Sequence, residues 1–256
     1  MSLTIDLNSD LGESFGAYKI GRDEDVLKIV SSANVACGYH AGDPSIMQKT
    51  VKWAKENNVG IGAHPGFPDM MGFGRRALTV TPEEVYQMVL YQIGALHGFC
   101  RVENVEMQHV KAHGALYNMA AKDFSIARAI ARTVKDFDPD LILFGLANSE
   151  LINAAEEVGI RSASEVFADR TYQPDGTLTP RSEENAVIHD EETAIKQVLS
   201  MVQDNKVTAV DGSQIEIKVD TVCVHGDSPS ALQFVEALRD RFKEESITVQ
   251  KVGASL

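Results

Sequence analysis

Alternation constrains this chain more than any other feature. Short apolar runs recur at LTIDL (3–7), NVAC (34–37), VGIGA (59–63), VEMQHVKA (105–112), LILFGLA (141–147), SEVFA (164–168) and DTVCVHG (220–226). Between them lie longer stretches with a helical period. Val85, Val89, Gln92 or Ile93, and Leu96 share a stripe between Thr81 and Phe99. Leu232, Val235, Leu238 and Phe242 share another between Pro229 and Lys243. Segments 44–57, 122–136, 148–157 and 190–205 read the same way. Helix starts are marked: Thr81-Pro82-Glu83-Glu84 reads as a capping box with proline at the first helical position. Asp43-Pro44 and Ser228-Pro229 repeat the cap-then-proline signal, and Gly159 is placed to stop a helix.

Strand, loop and helix repeat about seven times, which implies parallel strands with crossover helices. A closed barrel and an open doubly wound sheet both satisfy that pattern. A length of 256 residues favours a single barrel domain of seven or eight strands. KVTAVDGSQIEIKVD (206–220), with Asp211-Gly212 between two β-like runs, reads as a hairpin inserted before the last unit.

Charge narrows the partners. Lys and Arg number 24 against 37 Asp and Glu, a net −13, which argues against gripping a nucleic-acid backbone. A small anionic substrate stays compatible, because a pocket can be locally positive in an acidic protein. No apolar run approaches the roughly 18 residues that span a bilayer. The start, MSLTIDLNSD, lacks a basic end followed by an apolar core. Cys37, Cys100 and Cys223 are far apart and form no CxxC pair. A reducing cytoplasm is the expected setting.

The unusual polar residues lie just after the apolar runs: DLNSDLGE (6–13), GYHAGDPS (38–45), AHPGFPD (63–69), KAHGALYN (111–118), ADRTYQPDGTLTPR (168–181) and VHGDSPS (224–230). In a parallel α/β protein these points share the face at the carboxyl ends of the strands. His40, His64, His113 and His225 fall there, with His109 more distant. His109 lies within a strand run, from which its ring can point away. His97 and His189 read as structural. His40-Ala41-Gly42-Asp43-Pro44-Ser45 and His225-Gly226-Asp227-Ser228-Pro229-Ser230 echo each other. In both, a turn leads into a helix N-terminus whose N–H groups suit a carboxylate or phosphate.

Alternation also places Asp6, Asn8 and Asp10 on one side of the first strand, with Glu13 beyond. Asp10 at the mouth suits a general base, a metal ligand or an acceptor for an amide N–H. Lys111 and His113 share a side; Lys111 suits an anchor for an anion, an electrophile or a Schiff-base amine. Arg75 and Arg76 in GFGRR, with Asp169 and Arg170 in ADR, are candidates for substrate binding, as are His40, His225 and Asp227. The glycines Gly60, Gly62, Gly66, Gly72 and Gly74 are explicable by tight turns alone. There is no GxxxxGK[ST] loop, no GxGxxG opening a helix, no GxSxG elbow and no HExxH. A nucleotide site of recognisable type is therefore not expected.

DLNSDLGE, ANVACGYHAGDP, GAHPGFPD with GFGRR, VKAHGALYN, EVFADRTYQPDGTLTPRS and CVHGDSP occur in this order. Together, over about residues 4–252, they resemble the LamB/YcsF family, the A subunits of ATP-hydrolysing 5-oxoprolinases. The resemblance implies an irregular seven-stranded (β/α) TIM-like barrel of the glycoside hydrolase and deacetylase type. It implies ring opening of 5-oxoproline to glutamate with ATP cleaved to ADP and phosphate, alongside partner subunits B and C. ATP would serve as co-substrate, with Mg through the partners. Within that scheme Asp10, His113, Lys111 and His64 are the expected catalytic residues. Two rivals stand beside it: a metal-dependent amidohydrolase or sugar deacetylase built on Asp10, His64 and His113, and a non-catalytic subunit that binds a small acid. The residues leave metal content and a homo-oligomer open.

Overall fold

The computed structural model describes residues 3–224 and 229–253. The strands are β1 (Leu3–Leu11), β2 (Ser32–Ala36), β3 (Gly60–His64), β4 (Met107–Lys111), β5 (Ile142–Leu146), β6 (Arg161–Phe167), β7 (Lys206–Thr208), β8 (Gln214–Glu216), β9 (Thr221–Cys223) and β10 (Ile247–Val249). The helices are α1 (Asp23–Val26), α2 (Pro44–Glu56), α3 (Pro82–Glu103), α4 (Gly114–Ala120), α5 (Phe124–Phe137), α6 (Glu150–Val158), α7 (Glu191–Asp204) and α8 (Pro229–Glu244).

Strands β1 to β6 pair in chain order, β9 follows β6, and β9 pairs back to β1, so seven parallel strands close a barrel. The irregularity lies at β1. Its first residues, Leu3–Ile5, pair with β10, while Asn8–Leu11 pair with β2. Strands β7 and β8 form a separate antiparallel ribbon ahead of β9. Thr81 caps α3 with a complete capping box, and the helix runs to Glu103, four residues past the expected end at Phe99, where Asn104 caps it in the left-handed region.

The main apolar core lies between the sheet and its helices, where Val85, Val89, Ile93 and Leu96 of α3 and Val235, Leu238 and Phe242 of α8 are buried. The barrel interior is different. It holds a small apolar cluster of Ile142, Phe144 and Ala163, with Val252 packed against it. Above that floor the inward side chains are polar. Asp6 accepts hydrogen bonds from the hydroxyls of Ser31, Ser32 and Thr221. Asn8 donates to Thr221, and Asn34 donates to both Asn8 and Asp10. A sequence that alternates polar with apolar residues on a fully buried strand needs such partners, because an unpaired polar group inside is destabilising.

His109 corrects the reading that its ring points away. It is fully buried, stacks on Phe144 with ring centroids 4.1 Å apart, and its Nε2 stands 2.8 Å from the Asn34 amide oxygen. Gly62 makes that possible: a Cβ there would fall 2.1 Å from the His109 ring. The β3–β4 register shifts at this point.

Asp6 gives a stability test. Burial raises its pKa from 3.8 to about 6, against the pull of its three hydroxyl donors; Glu165 is the charged neighbour that adds to the rise. The folded chain therefore holds this proton where the unfolded chain has released it. Stability relative to Asp6→Asn falls as pH rises through that window, by on the order of 3 kcal/mol in all. Urea denaturation of both proteins at pH 4 and pH 7 measures the difference; a constant difference would show that Asp6 does not titrate in this way.

Candidate active site

The carboxyl ends of the strands open into a cavity of about 670 Å³ lined by Asp10, Glu13, His64, Arg75, Lys111 and His113, among others. A larger depression of about 1020 Å³ lies at the amino ends of β3 to β6, lined by Lys55, Arg101, Arg161 and Lys251. Chemistry in parallel barrels concentrates at the carboxyl ends, and the acids and imidazoles gather there too.

Lys111 is the centre of the cavity floor. Its Nζ stands 2.7 Å from Glu165 Oε1 and 3.0 Å from Asp10 Oδ1, and it donates to Asn8 Oδ1 and Cys223 Sγ. Burial works against its charge, but Asp10, Cys223 and Glu165 around it hold its pKa well above the lysine range. An ammonium fixed in this way is not the free amine that Schiff-base chemistry requires, so that option falls. Burial likewise opposes ionisation of Asp10, but His64 and Lys111 beside it hold its carboxyl well below the usual range. Glu165 was missed in the sequence because it sits inside the apolar run SEVFA. It is fully buried and also accepts a 2.7 Å hydrogen bond from the Tyr117 hydroxyl.

The histidines form the wall. His64 Nδ1 lies 2.8 Å from the Lys111 carbonyl, and His113 Nε2 lies 2.8 Å from the Phe73 carbonyl. His64 Nε2 and His113 Nδ1 stand 3.0 Å apart, and Asp10 Oδ2 is 3.3 Å from His64 Nε2. His40 stacks on His113, ring centroids 3.7 Å apart. Burial, with the neighbouring His64 ring, pushes the pKa of His113 down to about 3. Burial also holds His40 well below its ordinary value. Gly66 and Gly74 do more than turn the chain: a Cβ on either would come within 2.7 Å of His40. Gln92 from α3 fixes the 65–68 loop by bonding both the N–H and the carbonyl of Gly66.

Other expected residues separate. Arg75 lines the cavity over the Phe73 ring, 5.0 Å from its centroid. Arg76 turns away into an ion pair with Asp69 and is not among the cavity residues. Arg170 reaches the cavity, but its guanidinium donates to the carbonyls of Ala186 and Thr179 and so braces the 170–187 loop. Asp169 is half-buried, and its carbonyl accepts from Ile188 N–H. His225 and Asp227 lie outside the described residues. The α2 N-terminus is not open to an anion: Asp43 already accepts from the N–H groups of Ser45 and Ile46, and of Gly16. His97 lies on α3 against Phe137, away from the cavity.

The group able to hold a metal also differs from the one expected. Glu13, His40, His64 and His113 each offer an atom within 4.8 Å of the others, so Glu13 and His40 stand where the sequence reading put Asp10. No described helix is long and apolar enough to cross a membrane.

A seven-stranded parallel barrel with buried acids, imidazoles and a lysine at its carboxyl mouth has the architecture of a hydrolytic barrel enzyme. The LamB/YcsF family model matches residues 5–256, and the chain belongs to that family. It is 61% identical over 249 residues, 97% of each chain, to the 5-oxoprolinase A subunit of Halalkalibacterium halodurans. The crystal structure of the lactam utilization protein from Thermus thermophilus superposes with a TM-score of 0.91 at 44% identity, covering 97% of this chain and 99% of that one. A family 4 carbohydrate esterase from Streptomyces lividans shares the fold at 9% identity, with a TM-score of 0.54 over 98% of this chain and 93% of its own.

Proposed function

We propose that this chain is the A subunit of an ATP-dependent 5-oxoprolinase and carries the cavity in which the lactam ring is opened. The observation that carries the reading is the Asp10–Lys111–Glu165 array beneath His64 and His113 in a cavity rimmed by arginines. Its relatives' names support it.

A five-membered lactam re-forms readily, because its amine is tethered to its carboxyl at high effective concentration. Hydrolysis therefore needs coupling, and phosphorylation of the lactam oxygen is the natural activation. No phosphate loop occurs in the sequence, so partner subunits B and C are assigned the phosphorylation, with Mg and ATP held by them. Water then adds to C5, the C5–N bond breaks as the nitrogen takes up a proton and leaves as an amine, and the acyl phosphate that remains is hydrolysed by a second water to the free carboxylate and inorganic phosphate. Asp10, held ionised, accepts the proton of the attacking water. Lys111 faces the charge that develops on oxygen, and Arg75 holds the substrate carboxylate. His64 and His113 shape the wall against which C5 rests.

Reconstitution tests this. All three subunits together should form glutamate, ADP and phosphate, and omission of this chain should abolish glutamate. A complete set that forms no glutamate would sink the reading. If this chain alone cleaved ATP in response to 5-oxoproline, the division of labour would be wrong.

A further inference from the structure

We infer that Glu13, His40, His64 and His113 form a binding site for one divalent first-row transition-metal ion. A backbone carbonyl only accepts hydrogen bonds. His64 therefore carries its proton on Nδ1, which faces the Lys111 carbonyl, and His113 on Nε2, which faces that of Phe73. Without a shared proton or an ion between them, His64 Nε2 and His113 Nδ1 would present lone pairs to each other at 3.0 Å. Asp10 Oδ2, a further acceptor, is 3.3 Å from the same His64 nitrogen. Glu13 Oε1 is 3.6 Å from His40 Nε2 and 3.9 Å from His113 Nδ1. The carboxylates of Asp10 and Glu13 and the His113 Nδ1 thus converge on the His64 and His40 nitrogens in a buried place, which calls for a positive charge, a proton or a metal ion, among them.

His40 is an independent sign. It is fully buried, and among the described residues neither of its ring nitrogens has a hydrogen-bond partner. A buried imidazole without partners is unusual, and a metal bond to one nitrogen accounts for it. A lone proton shared between His64 and His113 would relieve their contact but leave both His40 ring nitrogens without a hydrogen-bond partner among the described residues.

The spacing fits an ion. Two nitrogens bound tetrahedrally at 2.0–2.1 Å stand roughly 3.3 Å apart. The four ligand atoms lie within 4.8 Å of one another, so small ring rotations bring them to that distance. The carbonyls of Lys111 and Phe73 play the usual outer part, fixing tautomer and ring orientation. Three imidazoles and a carboxylate suit Zn²⁺ or a neighbour such as Co²⁺ better than Mg²⁺ or Ca²⁺, which prefer all-oxygen sites. Glu13, His64 and His113 line the cavity, so the ion would sit in its wall.

The test uses the full chain alone, stripped with a chelator, and needs no substrate, so its outcome is independent of the ring-opening reading. Zn²⁺ titrated calorimetrically should bind one per chain, and Co²⁺ should give the visible absorption of a four- or five-coordinate ion. His64→Ala and Glu13→Gln should each weaken Zn²⁺ at least tenfold, while His97→Ala on α3 binds like wild type. X-ray absorption of the Zn²⁺-loaded wild-type chain should show several imidazoles at about 2.0–2.1 Å, which keeps the test decisive if a variant fails to fold. Absence of stoichiometric binding, sulfur in the coordination shell, or unchanged affinity in folded His64→Ala and Glu13→Gln would overturn the site. So would a downfield imidazole proton shared by His64 and His113 in a chain that takes up no ion.

Discussion

Asp10→Asn in the reconstituted enzyme is expected to lower 5-oxoproline turnover about a hundredfold or more, as loss of a proton acceptor at the reacting water does. The substitution keeps shape. Asn34 Nδ2 can still donate to the retained amide oxygen, as it now does to Asp10 Oδ1 at 2.8 Å. What disappears is the negative charge that Lys111 and His64 hold in place. Lys111 keeps Glu165 as its partner at 2.7 Å, so the floor of the cavity stays intact. The loss should therefore appear in kcat, with KM for 5-oxoproline changed by only a small factor, because Asp10 is itself anionic and does not hold the substrate carboxylate. A steady-state assay with all subunits and saturating ATP separates the two. Turnover within a few-fold of wild type would remove Asp10 from the chemistry.

How much of this was legible in the sequence depends on which contacts lie along one strand. Asp6, Asn8 and Asp10 face one side because the strand period is two, and they meet partners inside the barrel. The same parity rule puts His109 on the Lys111 side, so its inward position was readable even though a strand histidine can also point outward. Contacts across the barrel were not readable. Lys111 of β4 and Glu165 of β6 are separated by β5 in the sheet and meet only because the sheet closes on itself. Glu165 looked like an ordinary member of an apolar run, and no local spacing marks it. The metal-capable group was not readable for the same reason: Asp10 at the end of β1 and Glu13 just beyond it lie three residues apart, and only the fold decides which of them reaches His40. Arg76 was indistinguishable from Arg75 until the turn at Met70–Gly72 set Asp69 beside it.

The largest stability effect is expected from Lys111→Met, which should destabilise the chain by about 3–5 kcal/mol, the usual result of removing one partner from a buried ion pair. Methionine fills nearly the same volume, so packing is not the cause. The loss comes from what remains: Glu165, fully buried, and Asp10, both now facing each other across the place of the ammonium. Like charges in a low-dielectric interior repel strongly, and neither acid has another cation at this distance among the described contacts. Adding Glu165→Gln should recover much of the loss. The amide is neutral, and its oxygen can still accept the Tyr117 hydroxyl that now bonds Glu165 Oε2. A double-mutant cycle over wild type, both single variants and the double variant measures the coupling directly. Equilibrium denaturation at one pH suffices. Should Lys111→Met lie within about 1 kcal/mol of wild type, or should Glu165→Gln fail to rescue it, the pair would not be what holds the barrel interior together. Turnover should be lost in Lys111→Met and stay lost in the rescued double variant, because restoring the fold does not restore the positive charge beside the developing oxyanion. That dissociation of stability from activity is what distinguishes a lysine acting on substrate from one that only fills the barrel.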